Sequence, residues 1–127
     1  MKKKSILVVE DDDAIRLACG EILTSWGYDV RLAEHGEAAL RALANCPDRP
    51  DLILLDSMMP QMSGEQFVKT QQNDLRLKDI PVVVMSALSE LPPELQGKRL
   101  LKKPMELQDL LDAIQFITVD SGSNVRF

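Results

Sequence analysis

The stretch Asp51-Leu52-Ile53-Leu54-Leu55-Asp56 reads as a strand buried on both faces, because its apolar run leaves no polar side to turn toward water. Ser5 to Val9 and Pro81 to Met85 are runs of the same kind, rich in β-branched residues. Segments of helical period lie between them. Ile15, Ala18, Ile22 and Trp26 recur at helix spacing until Gly27 supplies a stop. A weaker strand, Tyr28 to Ala33, leads into an Ala/Leu helix from Glu37 to Ala44, and Asn45 to Pro50 reads as a loop. Ser63 followed by Gln66 has the form of a capping box and starts a helix that runs to about Gln72. Arg99 to Lys102 forms a short fifth strand, and Leu107, Leu110, Leu111, Ile114 and Ile117 mark one face of a last helix. Apolar strands alternating with helices imply an α/β domain, a doubly wound five-stranded parallel sheet with helices on both faces.

A chain of 127 residues has room for one domain with a proper core and not for a second of ordinary size. The domain is expected over residues 1–119, with a flexible Ser/Gly/Asn-rich tail over 120–127. The net charge of -5 speaks against nucleic acid as a partner, since phosphate backbones call for a clustered cationic surface. Lys2 to Lys4 resemble the charged start of a signal peptide, but the apolar run after them stops at Val9 and meets Glu10 to Asp13. Neither secretion nor membrane insertion fits that pattern. Cys19 and Cys46 lie far apart, outside any CxxC or Cys/His cluster, as reduced thiols of a cytoplasmic protein would.

In open parallel sheets, ligands bind beyond the carboxyl ends of the strands. There the sequence places Glu10 and Asp11 after the first strand, Asp56 after the third, Ser86 after the fourth and Lys103 after the fifth. Three carboxylates meeting at one edge repel one another unless a cation joins them. A hard divalent ion that keeps several waters, Mg2+ rather than Ca2+, suits so few protein ligands. A carboxylate can also attack phosphorus when metal and cationic side chains neutralise the transferring oxygens, which makes Asp56 the central candidate. Each residue has a plainer reading too. The acidic run can cap the first helix through Asp12 or Asp13, Asp56 and Ser86 can be turn residues, and Lys103 can be a solvated loop lysine. Their joint placement at successive strand ends favours chemistry.

From about Lys4 to Thr118 the sequence resembles the response-regulator receiver family. The resemblance is carried by Ile6 to Asp11, by Asp51 to Asp56 with Met59-Pro60 and Gly64, by Pro81 to Ala87, and by Lys103-Pro104. It implies a flavodoxin-like fold and Asp56 as the phosphorylated residue. Asp11 would ligate Mg2+ directly, Glu10 through water and Met58 through its backbone carbonyl. Ser86 would hydrogen-bond the phosphoryl group, and Lys103 would pair with it, usually through a cis peptide to Pro104. The implied partner is a histidine kinase or histidine phosphotransfer protein. With the chain used up by the last helix and tail, output is expected through protein contacts or a phosphorelay step.

Two features depart from the family. Leu100 stands three residues before the lysine, where receivers usually carry Tyr or Phe. Only sixteen residues separate Ser86 from Lys103, and Pro92-Pro93 falls among them, so the helix between the fourth and fifth strands should shrink to a turn or loop. Light packing of Leu88 to Lys98 would let that segment order on phosphorylation. Other readings are a receiver-like docking module that is never phosphorylated, and a phosphohydrolase of the haloacid dehalogenase type. The latter needs a second Asp where this chain has Met58, which cannot transfer a proton. His35 reads as polar surface, and Gly97-Lys98 as a turn rather than a phosphate loop.

Overall fold

The computed structural model describes residues 3–45, 48–59, 62–88, 91–96 and 98–123, with 116–123 described by their backbone. Five strands, β1 (Ser5–Val9), β2 (Asp29–Ala33), β3 (Leu52–Asp56), β4 (Val82–Ser86) and β5 (Arg99–Lys102), form one parallel sheet in the order β2-β1-β3-β4-β5. Helices α1 (Asp13–Ser25), α2 (Gly36–Ala44), α3 (Gly64–Gln72) and α4 (Leu107–Ser123) cover it.

Residues of successive parity in each inner strand feed opposite layers of core, as the two-residue period of a strand requires. Leu7, Val9, Ile53, Leu55, Val82 and Val84 pack with α2 and α3. Ile6, Val8, Leu52, Leu54, Val83 and Met85 pack with α1 and α4. The expected doubly wound architecture is therefore present.

Local chemistry sets where the helices begin. Asp12 accepts a hydrogen bond from the Ile15 N–H at 3.0 Å and caps α1. Ser63 and Gln66 form the reciprocal capping box of α3. His35 caps α2, its Nδ1 accepting from the Ala38 N–H at 3.1 Å. Gly27, at φ 96°, turns the chain between α1 and β2 in a conformation that costs other residues more.

Among the described residues between β4 and β5, a 3-10 turn, Pro93–Leu95, stands where a helix would otherwise lie. The expected light packing of this region does not hold at Leu95, which is fully buried among the side chains under α2 and α3, with Leu91 packed against the same layer. Helix α4 continues through Ser123, past the Asp120 boundary expected for the tail. The small polar residues there are weak helix formers, but no proline blocks the backbone. Cys46, Pro60 and Gly97 lie outside the described residues.

Candidate functional site

Strand order reverses between β1 and β3, so the chains leaving these two strands part to opposite sides and open a crevice at their carboxyl ends. Glu10 follows β1 directly and stays in register with the sheet through a 3.0 Å bond from its N–H to the Ala33 carbonyl. Its carboxylate turns inward at 0% exposure, while Asp11 stands exposed beside it. The Asp12 N–H donates to Glu10 Oε2 at 3.1 Å, and the Arg16 guanidinium donates to the Glu10 carbonyl at 3.0 Å. These bonds tie the turn into α1 to the end of β1.

Asp56 and Ser86 are the last residues of β3 and β4, one position further than the sequence pattern placed the strand ends. Pairing continues past Asp56, since the Ser57 N–H reaches the Met85 carbonyl at 3.0 Å. Asp56 is 4% exposed. Its Oδ1 accepts from the Met58 N–H at 3.3 Å, and the Met58 side chain projects outward at 63% exposure. Gly64 fixes the height of this loop. A Cβ there would stand 2.9 Å from both the Asp56 carbonyl oxygen and the Ser57 Cα.

Lys103 reaches in from the end of β5, anchored by its N–H on the Ser86 carbonyl at 2.9 Å. Its ammonium lies 2.8 Å from Glu10 Oε1 and 3.3 Å from Asp56 Oδ1. The Lys103-Pro104 peptide is cis, as the resemblance implied. Oxygens of Glu10, Asp11 and Asp56 come within 4.8 Å of one another. A cavity of about 250 Å3 opens onto the group, bordered by these three residues together with Ser57, Met58 and Lys103.

Ser86, at 1% exposure, accepts from the Leu88 N–H at 3.0 Å and from the Ser57 hydroxyl at 2.8 Å. Ser57 escaped the sequence reading. Its hydroxyl meets Ser86 because β3 and β4 pair Asp56 with Met85, which sets the next two residues side by side. A polar residue directly after the strand-end Asp was the available signal.

Charge in the site is unbalanced. Burial pushes the Asp56 carboxyl up to about 7, aided by its hydrogen bonds to Asp11 and Glu10 and by the Glu10 charge, with the Met58 N–H working the other way. Burial also acts to raise Asp11, but its bonds to Asp56 and Glu10, its own backbone and the Lys103 charge outweigh it and hold Asp11 below the usual range. For Lys103, burial opposes the charged form, yet Glu10 and Asp56 prevail and raise it. Hard oxygen donors, close spacing and a carboxyl pushed upward by burial among other carboxylates together suit a divalent cation such as Mg2+.

A family model described as the response regulator receiver domain matches residues 6–115. Among curated relatives, the response regulator MprA of Mycolicibacterium vanbaalenii is 35% identical over 93% of this chain and 53% of its own length. RpaA of Synechocystis, named a DNA-binding dual master transcriptional regulator, is 34% identical over 87% of this chain and 47% of its own. The chain thus spans about half the length of the curated relatives it matches. Among solved structures, chemotaxis protein CheY4 of Vibrio cholerae superposes with a TM-score of 0.81 at 29% identity, covering 91% of this chain and 99% of that one. TrrA of Thermotoga maritima, solved in complex with Mg2+-BeF, gives a TM-score of 0.79 at 27% identity over 90% and 98% of the two chains. No described helix is long and apolar enough to cross a membrane.

Proposed function

The chain belongs to the response-regulator receiver family, and on that premise we propose that it is a phosphoacceptor whose Asp56 takes a phosphoryl group from a phosphohistidine of a kinase or phosphotransfer protein. The carrying observation is the Lys103 ammonium set between Glu10 and Asp56, at 2.8 and 3.3 Å, at the mouth of a cavity lined by oxygen donors. In the transfer an Asp56 carboxylate oxygen forms a bond to phosphorus as the P–N bond of the donor breaks, and the imidazole leaves with the electron pair. Glu10, Asp11, Asp56 and the Met58 carbonyl would hold Mg2+, which supplies charge that neutralises the transferring oxygens. Lys103 would pair with a phosphoryl oxygen, and Ser86 would donate its hydroxyl proton to another. Met58 offers no acid group for hydrolytic turnover, in keeping with an acceptor that stores the phosphoryl group rather than a phosphatase.

The receiver itself is proposed to signal through protein contacts. Its net charge of -5 disfavours direct DNA binding. Intact mass after treatment with Mg2+ and a small acyl phosphate tests the acceptor reading. The parent should gain one phosphoryl group and Asp56→Asn none. A parent that gains nothing, or an Asn variant that still gains phosphate, refutes it.

A further inference from the structure

Ser57 is buried at 5% exposure, borders the cavity of the acidic group, and spends its hydroxyl on Ser86 at 2.8 Å. A serine hydroxyl carries one proton and two lone pairs. At Ser86 the Leu88 N–H takes one lone pair at 3.0 Å and the Ser57 hydroxyl lies 2.8 Å from the same oxygen, so that a proton given by Ser57 would engage the other. The direction left to Ser86 is that of its own O–H, the group a phosphoryl oxygen would need as donor. From this arrangement we infer that Ser57 is a positioning residue, holding the Ser86 hydroxyl in the rotamer that presents its proton as a donor. The inference rests on the phosphoacceptor reading of Asp56.

The placement follows from backbone structure rather than from a mobile surface contact. The Ser57 N–H is held by the Met85 carbonyl at 3.0 Å, and the Ser57 carbonyl accepts from the Gly64 N–H at 3.1 Å. With both backbone groups pinned, the side chain has little freedom except rotation about its first bond. Leu88 ties Ser86 from the other side. Without the Ser57 hydroxyl, Ser86 keeps one fixed bond and can rotate around it, so its proton is presented as a donor only part of the time.

Ser57→Ala should slow phosphorylation by a small acyl phosphate roughly three- to tenfold, the scale of one neutral hydrogen bond. In a Ser86→Ala background the same change should have no further effect, because the group it orients is gone. Hydrogen exchange at the Leu88 amide in the resting protein supplies a readout independent of transfer. Protection there should fall in Ser57→Ala and return in Ser57→Thr, which keeps the hydroxyl. Equal slowing in both backgrounds, or no slowing with Leu88 protection unchanged, overturns the inference while leaving Asp56 as acceptor. A parent that accepts no phosphate removes the phosphoacceptor reading itself, and the inference with it.

Discussion

Replacing Asp56 with Asn should stabilise the cation-free protein at alkaline pH and leave it nearly unchanged in acid. The carboxyl lies at about 7 in the folded protein against 3.8 for an ordinary aspartate. A group raised on folding contributes stability that is complete below the lower value and is lost as pH climbs through the higher one. For this carboxyl the loss occupies the interval from about pH 4 to pH 7. The full displacement corresponds to about 4 kcal/mol. Asp11 shares the titration and the cavity admits water, which together reduce the expected loss to about 2 kcal/mol. Asn has nothing to ionise, so the variant should exceed the parent by that amount at pH 8, or by roughly 6 to 10 °C in Tm for a domain of this size. Thermal melts in a chelator between pH 4.5 and 8.5 measure the difference. Millimolar Mg2+ should then stabilise the parent more than the variant, because binding to the folded state alone raises stability by mass action. A gap between the two proteins that stays flat with pH, or widens in the parent's favour as pH rises, refutes the argument.

Asp11→Ala removes an exposed oxygen from the acidic group and should weaken Mg2+ binding by on the order of tenfold or more; an unchanged metal titration counts against the ligand assignment. Gly64→Ala would drive its Cβ to 2.9 Å from backbone atoms of Asp56 and Ser57, costing about 1 to 3 kcal/mol by urea denaturation and slowing phosphorylation as the acceptor loop shifts. A melt and a transfer rate both equal to the parent's would show that the loop relaxes freely. Met58 and Leu88 offer no side chain to orient an attacking water, so the aspartyl phosphate should persist, and polar residues at both positions should shorten its lifetime. A double variant that loses phosphate no faster than the parent ends that reasoning.

The fold was legible because buried parallel strands leave long apolar runs, and β1, β3 and β4 each show one. The strand ends were less so. Backbone pairing carries β3 and β4 one residue beyond the apolar pattern, and hydrogen bonds of that kind leave no mark in side-chain periodicity. Gln71 looks like a surface residue of α3, yet it is fully buried, its Nε2 donating to the carbonyls of Leu77 at 2.8 Å and Ile80 at 3.0 Å. The cap at His35 was hidden for a related reason, since imidazole is not among the favoured capping groups. Leu95 is one apolar residue in a proline-rich stretch, too short a signal to announce its burial.

The site divides along the same line. Glu10, Asp11, Asp56 and Lys103 were readable because strand ends in a parallel sheet converge whatever the register, and charges brought together must be compensated. Ser57 needed the register itself, since shifting β4 by one residue would carry Ser86 away from it. Compensation also explains why acid and metal should compete at this place. Within this group of described side chains, three carboxylates against the Lys103 ammonium leave two negative charges when all are ionised. A proton on Asp56 removes one of them, and a divalent cation balances both. The first remedy occupies the oxygen that would attack phosphorus in the proposed transfer, whereas the second leaves it ionised and neutralises the charge around it. A carboxyl lifted to about 7 is thus poorly suited to act alone near neutral pH, and the physical case for a cation in this crevice is the same as the case for Asp56 as nucleophile.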